Sequence, residues 1–188
     1  MRFLTLTAAA MLLTGCNIVV EDDPDNQPAA TGENSMPTTP PMVPADHAPL
    51  LASTDPRLAA NKRLVYDMYR IVLQAGLADR ADEFIRQDYI QHNPMAAQGL
   101  AGVQEYIRNT RPERDILDKL ELPMVNIMAE GDFVTIAFVR PETGPDGATY
   151  YSTWFDMFRI QDGKIAEHWD PMLKTDTPID PNSKRIDN

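Results

Sequence analysis

Three side chains able to move protons, Asp156, His168 and Asp170, fall within or beside one short stretch, FDMFRIQDGKIAEHWDP, residues 155–171. A carboxylate takes a proton from the carbon next to a carbonyl when poor solvation brings its proton affinity toward neutrality, and an imidazole beside it can orient or return that proton. The stretch reads as a hairpin around Asp162-Gly163, rich in aromatic and β-branched residues. Polar groups in such a pattern cost free energy unless they are paired or used. Alternation puts Trp154, Asp156, Phe158 and Ile160 on one face, and Ala166, His168 and Asp170 on one face of the return strand. The turn decides whether those faces coincide. A two-residue loop, Asp162-Gly163, pairs Asp156 with Trp169 and sends His168 to the opposite side. A three-residue loop, Gln161-Asp162-Gly163, with Gly163 left-handed in a bulge, pairs Asp156 with His168. Only the second gathers all three polar groups.

A fourth candidate, His92 in DYIQHNP, would reach a pocket mouth and donate to a carbonyl oxygen, stabilising an enolate. Each residue also has a plain structural reading. Asp170 precedes Pro171 and can end the strand in a solvated turn, His168 can be a satisfied structural histidine, and His92 a turn residue. Tyr66, Tyr69, Trp154 and Trp169 are of the type that dominates cores. A metal reading would combine His92 and His168 with Asp156 or Asp170, but their spacing matches no short metal motif, so no metal or other cofactor is expected. Ser152 lacks the surroundings of an activated nucleophile.

The elements that must position these groups follow from periodicity. Asp55 as N-cap and Pro56 at the first helical position open a long helix ending near Gly76, with Leu58, Val65, Met68, Tyr69 and Val72 along one stripe. A short second helix is expected over Ala81–Arg86, and a third over Leu100–Thr110, ended by Pro112. From Lys119 the pattern changes to strands: one hairpin turns around Glu130, Gly131 and Asp132, and the aromatic hairpin follows a loop, PETGPDGAT. Phe133–Val139 is nearly continuous in apolar residues, which predicts burial on both faces. Helices first and antiparallel strands afterwards make an α+β domain.

This order of elements, together with DYIQHNP and above all FRIQDGKIAEHWD, resembles the SnoaL-like polyketide cyclases of the NTF2-like superfamily. The resemblance runs from the first helix to Asp170. It implies a cone in which a curved antiparallel sheet wraps around helices and encloses a pocket, no cofactor, and pairing of two copies through the sheet. It also implies that Asp170 is the acid/base of an aldol-type ring closure. The position of Asp156 is a pocket histidine in those enzymes, so the chain departs from the pattern there. Tyr69, Tyr89, Asn93, Trp154 and Phe158 are then candidates to line the site, and a small apolar carbonyl compound its occupant. The other reading is a non-catalytic module holding a ligand or a protein.

The start of the chain, MRFLTLTAAAMLLTGC, has a basic residue and an apolar run too short to span a bilayer, so it reads as a secretory signal. Leu13-Thr14-Gly15-Cys16 resembles the bacterial lipobox, which implies lipidation at Cys16, the sole cysteine. Asn17 in the following position then points to an outer membrane, with the domain facing the periplasm. No thiol remains for a disulfide or a nucleophile. Asn17–Asp55 has no Lys or Arg, seven acids and seven prolines, the composition of a disordered tether. Much of the formal charge of −11 therefore belongs to the tether, and a mildly acidic domain excludes nucleic acid as a natural partner. The expected organisation is a signal over 1–16, a tether over 17–55, the domain over 56–174 and a flexible tail over 175–188.

Overall fold

The computed structural model describes residues 43–172, together with Pro40 and Lys174. The signal with Cys16, most of the tether and the tail over 175–188 lie outside the described residues.

The domain begins before Pro56. A single helical turn, α1 (Ala48–Leu51), packs onto the body with Leu51 in the core and His47 buried, its Nδ1 2.9 Å from the Tyr66 hydroxyl. The tether assignment thus extended too far. Charge and proline dominate Asn17–Asp55 as a whole, but HAPLL at its end has enough apolar surface to dock.

Helix α2 (Pro56–Met68) starts as expected: Asp55 accepts from Arg57 N and Leu58 N, and Pro56 occupies the first turn. Its buried stripe of Val65, Tyr66 and Met68 continues into a wider, π-helical turn over Tyr69–Gln74, which buries Tyr69, Ile71 and Val72. The chain then reverses at Gly76, where φ is +72° and a Cβ would lie 2.6 Å from Pro112 O. No other residue fits that approach.

A short 3-10 segment over Ala78–Glu83 follows in place of the second helix, and the chain passes directly into β1 (Ile85–Gln91). Sequence reasoning missed this strand. IRQDYIQ is mostly polar and half exposed, so it lacks the apolar alternation that marks a strand. Helix α3 spans Gly99–Thr110, close to its expected limits.

Strands β2 (Met124–Glu130), β3 (Phe133–Thr143), β4 (Thr149–Gln161) and β5 (Lys164–Trp169) complete one five-stranded sheet in the order β1-β5-β4-β3-β2. All neighbours are antiparallel except β1 and β5, which run parallel. The architecture is α+β, as expected, with helices covering the inner face of a curved sheet. Val134, Ile136, Phe138, Phe158, Ile160 and Ile165 meet α2, its π-helical turn and α3 in one core. The outer face differs from the expectation for Phe133–Val139. Ala137 and Val139 are covered, but Phe133 stays exposed, as do Met128, Phe155 and Met157 on neighbouring strands.

Candidate active site

The decisive local feature is a bulge. Asp162 and Gly163 both have positive φ, +52° and +73°, and form a two-residue turn that pairs Gln161 with Lys164 and Ile160 with Ile165. The register then slips: Arg159 pairs with Glu167, Phe158 with His168 and Met157 with Trp169, which leaves Ala166 unpaired. Neither register read from the sequence is the observed one. The tight two-residue turn forms because Asp-Gly suits it, and the bulge one step later restores the face that the turn alone would have lost. His168 and Asp170 therefore share the inner face with Asp156.

On that face Asp156 is buried, with three polar groups around its carboxylate. The Tyr69 hydroxyl and the Trp154 indole, Nε1 to Oδ1 at 2.9 Å, donate to it, and His168 Nε2 lies 3.1 Å from Oδ1. Tyr69 stands at the first residue of the π-helical turn and is wedged edge-on between Phe138 and Phe158. Burial, then the adjacent Asp156 charge, pushes its hydroxyl well above the usual tyrosine range, so it remains a donor. Phe158 stacks on the His168 ring at 4.6 Å. Trp154 is half-buried, and the Arg140 guanidinium lies 4.4 Å over its ring.

The other ring nitrogen of His168 lies 3.0 Å from Gln91 Oε1. Gln91 pairs directly with His168 across the parallel β1–β5 contact, which puts both side chains on one face. Tyr89, two residues earlier, is also buried on this face, and its hydroxyl accepts from Gln91 Nε2 at 3.1 Å. Burial raises the Tyr89 hydroxyl as well, with Asp156 and Asp170 adding to the effect. Asn93 Nδ2 donates to Asp170 Oδ2 at 2.7 Å, while Met172 N donates to Oδ1 at 3.0 Å. Asp170 is half-buried, so the cluster runs from a sealed carboxylate at Asp156 to an accessible one at Asp170.

The structure thus brings together Asp156, His168, Asp170, Tyr69, Tyr89, Asn93, Trp154 and Phe158. It does not bring in His92. That ring stacks on Trp169 at 4.4 Å, and its Nε2 lies 2.9 Å from Glu167, both on the outer side of β5. Alternation along β1 is the cause: with Tyr89 and Gln91 inward, His92 faces outward. The sequence reading omitted Gln91. Its signal was the period-two series Tyr89, Gln91, Asn93, which a strand assignment for residues 85–91 would have exposed.

Asp156, His168 and Asp170 hold potential ligand atoms within 4.8 Å of one another, a set able to approach a cation. Both Asp156 oxygens and both His168 nitrogens already face protein partners, however, so the cluster is described by its hydrogen bonds. One cleft of the described residues lies elsewhere, between α1 and the loop before β2, and is lined by Asp46, His47, Arg63, Tyr66, Asp118 and Lys119 among others.

A family model described as the SnoaL-like domain matches residues 65–168, more than half of the chain and all the elements that build the cluster except its last carboxylate. The chain belongs to the SnoaL-like family. Among solved structures, this SnoaL-like chain is similar to TsrD from Streptomyces laurentii, at 25% identity and TM-score 0.43 over 63% of this chain and 90% of that one. It is similar to an LEH-like epoxide hydrolase of M. tuberculosis, at 19% identity and TM-score 0.45 over 62% and 80%. A Xanthomonas campestris protein with a cystatin-like fold, of unknown function, shows 23% identity and TM-score 0.42 over 58% and 88%. No curated protein matches this SnoaL-like chain.

Proposed function

We propose that this chain is an envelope-anchored SnoaL-like protein that binds a small, largely apolar carbonyl compound and moves a proton on it, in chemistry of the aldol, isomerase or hydratase type. The observation that carries the reading is the graded cluster itself: an accessible carboxylate, Asp170, backed by a buried carboxylate–imidazole pair inside an aromatic wall. Asp170 acts as the base. Its two oxygens each accept one hydrogen bond, from Asn93 and Met172, which fixes their direction and leaves lone pairs for a substrate C–H. Tyr89 accepts from Gln91, and its own hydrogen has no acceptor among the described residues, so it is the donor for the carbonyl oxygen where enolate charge develops. Asp156 and His168 hold a shared proton behind them.

The reaction is tested by proton exchange. Wild-type protein incubated in D2O with a panel of cyclic ketones and β-diketones accelerates loss of the α-proton signal in 1H NMR for at least one member. Line broadening of a panel member without exchange would establish the alternative, a binding module. Neither broadening nor exchange across the panel overturns both readings.

Anchoring rests on Leu13-Thr14-Gly15-Cys16 and the acidic, proline-rich segment after it. Expressed in a bacterium with two membranes, the protein is expected in the membrane fraction and labelled by a fatty-acid probe. Cys16→Ser abolishes the labelling, and unchanged labelling in that variant contradicts the assignment.

A further inference from the structure

The hydrogen-bond pattern around Gln91 determines where a proton must sit on His168. Gln91 Oε1 lies 2.9 Å from the backbone N–H of Asn93, which can only donate. Rotating the amide by half a turn would set Nε2 against that N–H, donor against donor. The orientation is therefore fixed by the backbone and independent of the histidine. With Oε1 held as acceptor, the His168 nitrogen facing it at 3.0 Å, Nδ1, must carry hydrogen. The second ring nitrogen, Nε2, faces Asp156 Oδ1 at 3.1 Å. With Nδ1 protonated, a neutral ring would present a bare lone pair to a carboxylate. A hydrogen bond there requires one proton between the two atoms.

We infer that Gln91 is a positioning residue, which fixes the hydrogen of His168 on Nδ1 so that Nε2 and Asp156 share a single proton behind the accessible carboxylate of Asp170. The inference deepens the proton-transfer reading above and rests on it for its catalytic meaning, though not for its structural content. The Tyr69 and Trp154 hydrogen bonds fix the direction of the Asp156 carboxylate on its side of that contact. A histidine fixed in this way presents a constant face to Asp156, whereas a free imidazole would exchange tautomers.

The test is 15N–1H correlation spectroscopy of the full chain labelled at histidine, at neutral pH, with the His168 ring assigned by its absence in His168→Gln. In wild-type protein His168 Nδ1 shows the shift of a protonated nitrogen. In Gln91→Leu, which removes the acceptor, the Nδ1 hydrogen is lost and the ring passes to the Nε2–H form. In Gln91→Glu, whose carboxylate can still accept from His168 and from Asn93 N, the Nδ1 hydrogen is retained. An unprotonated Nδ1 in wild-type protein overturns the inference, and so does a spectrum in Gln91→Leu identical to wild type. Should Gln91→Leu fail to fold, the wild-type spectrum still decides, and loss of the Nδ1 hydrogen in Gln91→Glu also counts against it. The readout needs no substrate, so a protonated Nδ1 without turnover removes only the catalytic reading. Turnover with an unprotonated Nδ1 removes only the inference.

Discussion

The two faces of strand β5 carry the same chemical types in different settings. Inward, His168 meets Asp156, with side chains 12% and 8% exposed; outward, His92 meets Glu167, at 37% and 14%. Each is an imidazole near 3 Å from a carboxylate. The inner carboxylate also receives a phenol and an indole, and the inner ring is clamped by Gln91 and Phe158. The outer carboxylate is shared with Arg159, and its histidine lies on Trp169 near solvent. A histidine–carboxylate contact therefore says little by itself. What distinguishes a proton-handling site from a surface ion pair is how many further partners fix both groups and how much water can screen them.

Substitutions can break that contrast. Asp156→Ala should have the largest effect on stability, because Tyr69, Trp154 and His168 all lose an acceptor in a buried place. Loss of about 3–5 kcal/mol in urea denaturation is expected, and a loss below about 1 kcal/mol would mean that the inner network does not hold the fold. Tyr69→Phe removes one donor while keeping the ring between Phe138 and Phe158, so a loss of about 2 kcal/mol should follow.

The third histidine sharpens the comparison through pH. His47 is buried and has the Tyr66 hydroxyl as its partner, and that oxygen already accepts from Leu120 N. Burial, then the Lys119 charge, lowers its proton affinity, partly countered by Asp46. The folded state then binds fewer protons than the unfolded chain. Docking of α1 is at full strength above the ordinary histidine value of 6.5 and weakens as pH falls below it. Protection factors of the Ala48, Leu50, Leu51 and Ala52 amides, corrected for the intrinsic pH dependence of exchange, should fall on acidification from pH 7.5 to 5.5 more than in His47→Gln; an equal fall in both would contradict this. On the outer face, Glu167 is held below the usual carboxylate range by hydrogen bonds from His92 and Arg159. Its contribution is present above about pH 4.5 and lost below it. Glu167→Gln should shift the urea midpoint least of all these changes.

Much of this site was legible in the chain because alternation is robust. Asp156 interrupts the apolar series Trp154, Phe158, Ile160, and a polar residue on a core face must be satisfied inside. The helix start at Asp55-Pro56 was equally plain, since capping is local. The register was not legible. Whether a bulge forms at Ala166 depends on how β5 meets both β4 and β1, and nothing in GKIAEHW announces an unpaired residue. Strand β1 was hidden for a related reason: it is parallel, short and polar, and its inward residues serve the cluster more than the core. Missing it put His92 on the wrong side and concealed Gln91. The docked turn at Ala48–Leu51 was lost in the composition of the segment before it.

The most direct test compares the two faces in one assay. With the ketone or diketone whose α-proton exchanges fastest, Asp170→Asn is predicted to lower the exchange rate by about 10²–10⁴-fold, while Glu167→Gln leaves it at the wild-type rate. Equal rates in wild type and Asp170→Asn, or an equal loss in both variants, would contradict a proton-transfer site on the inner face.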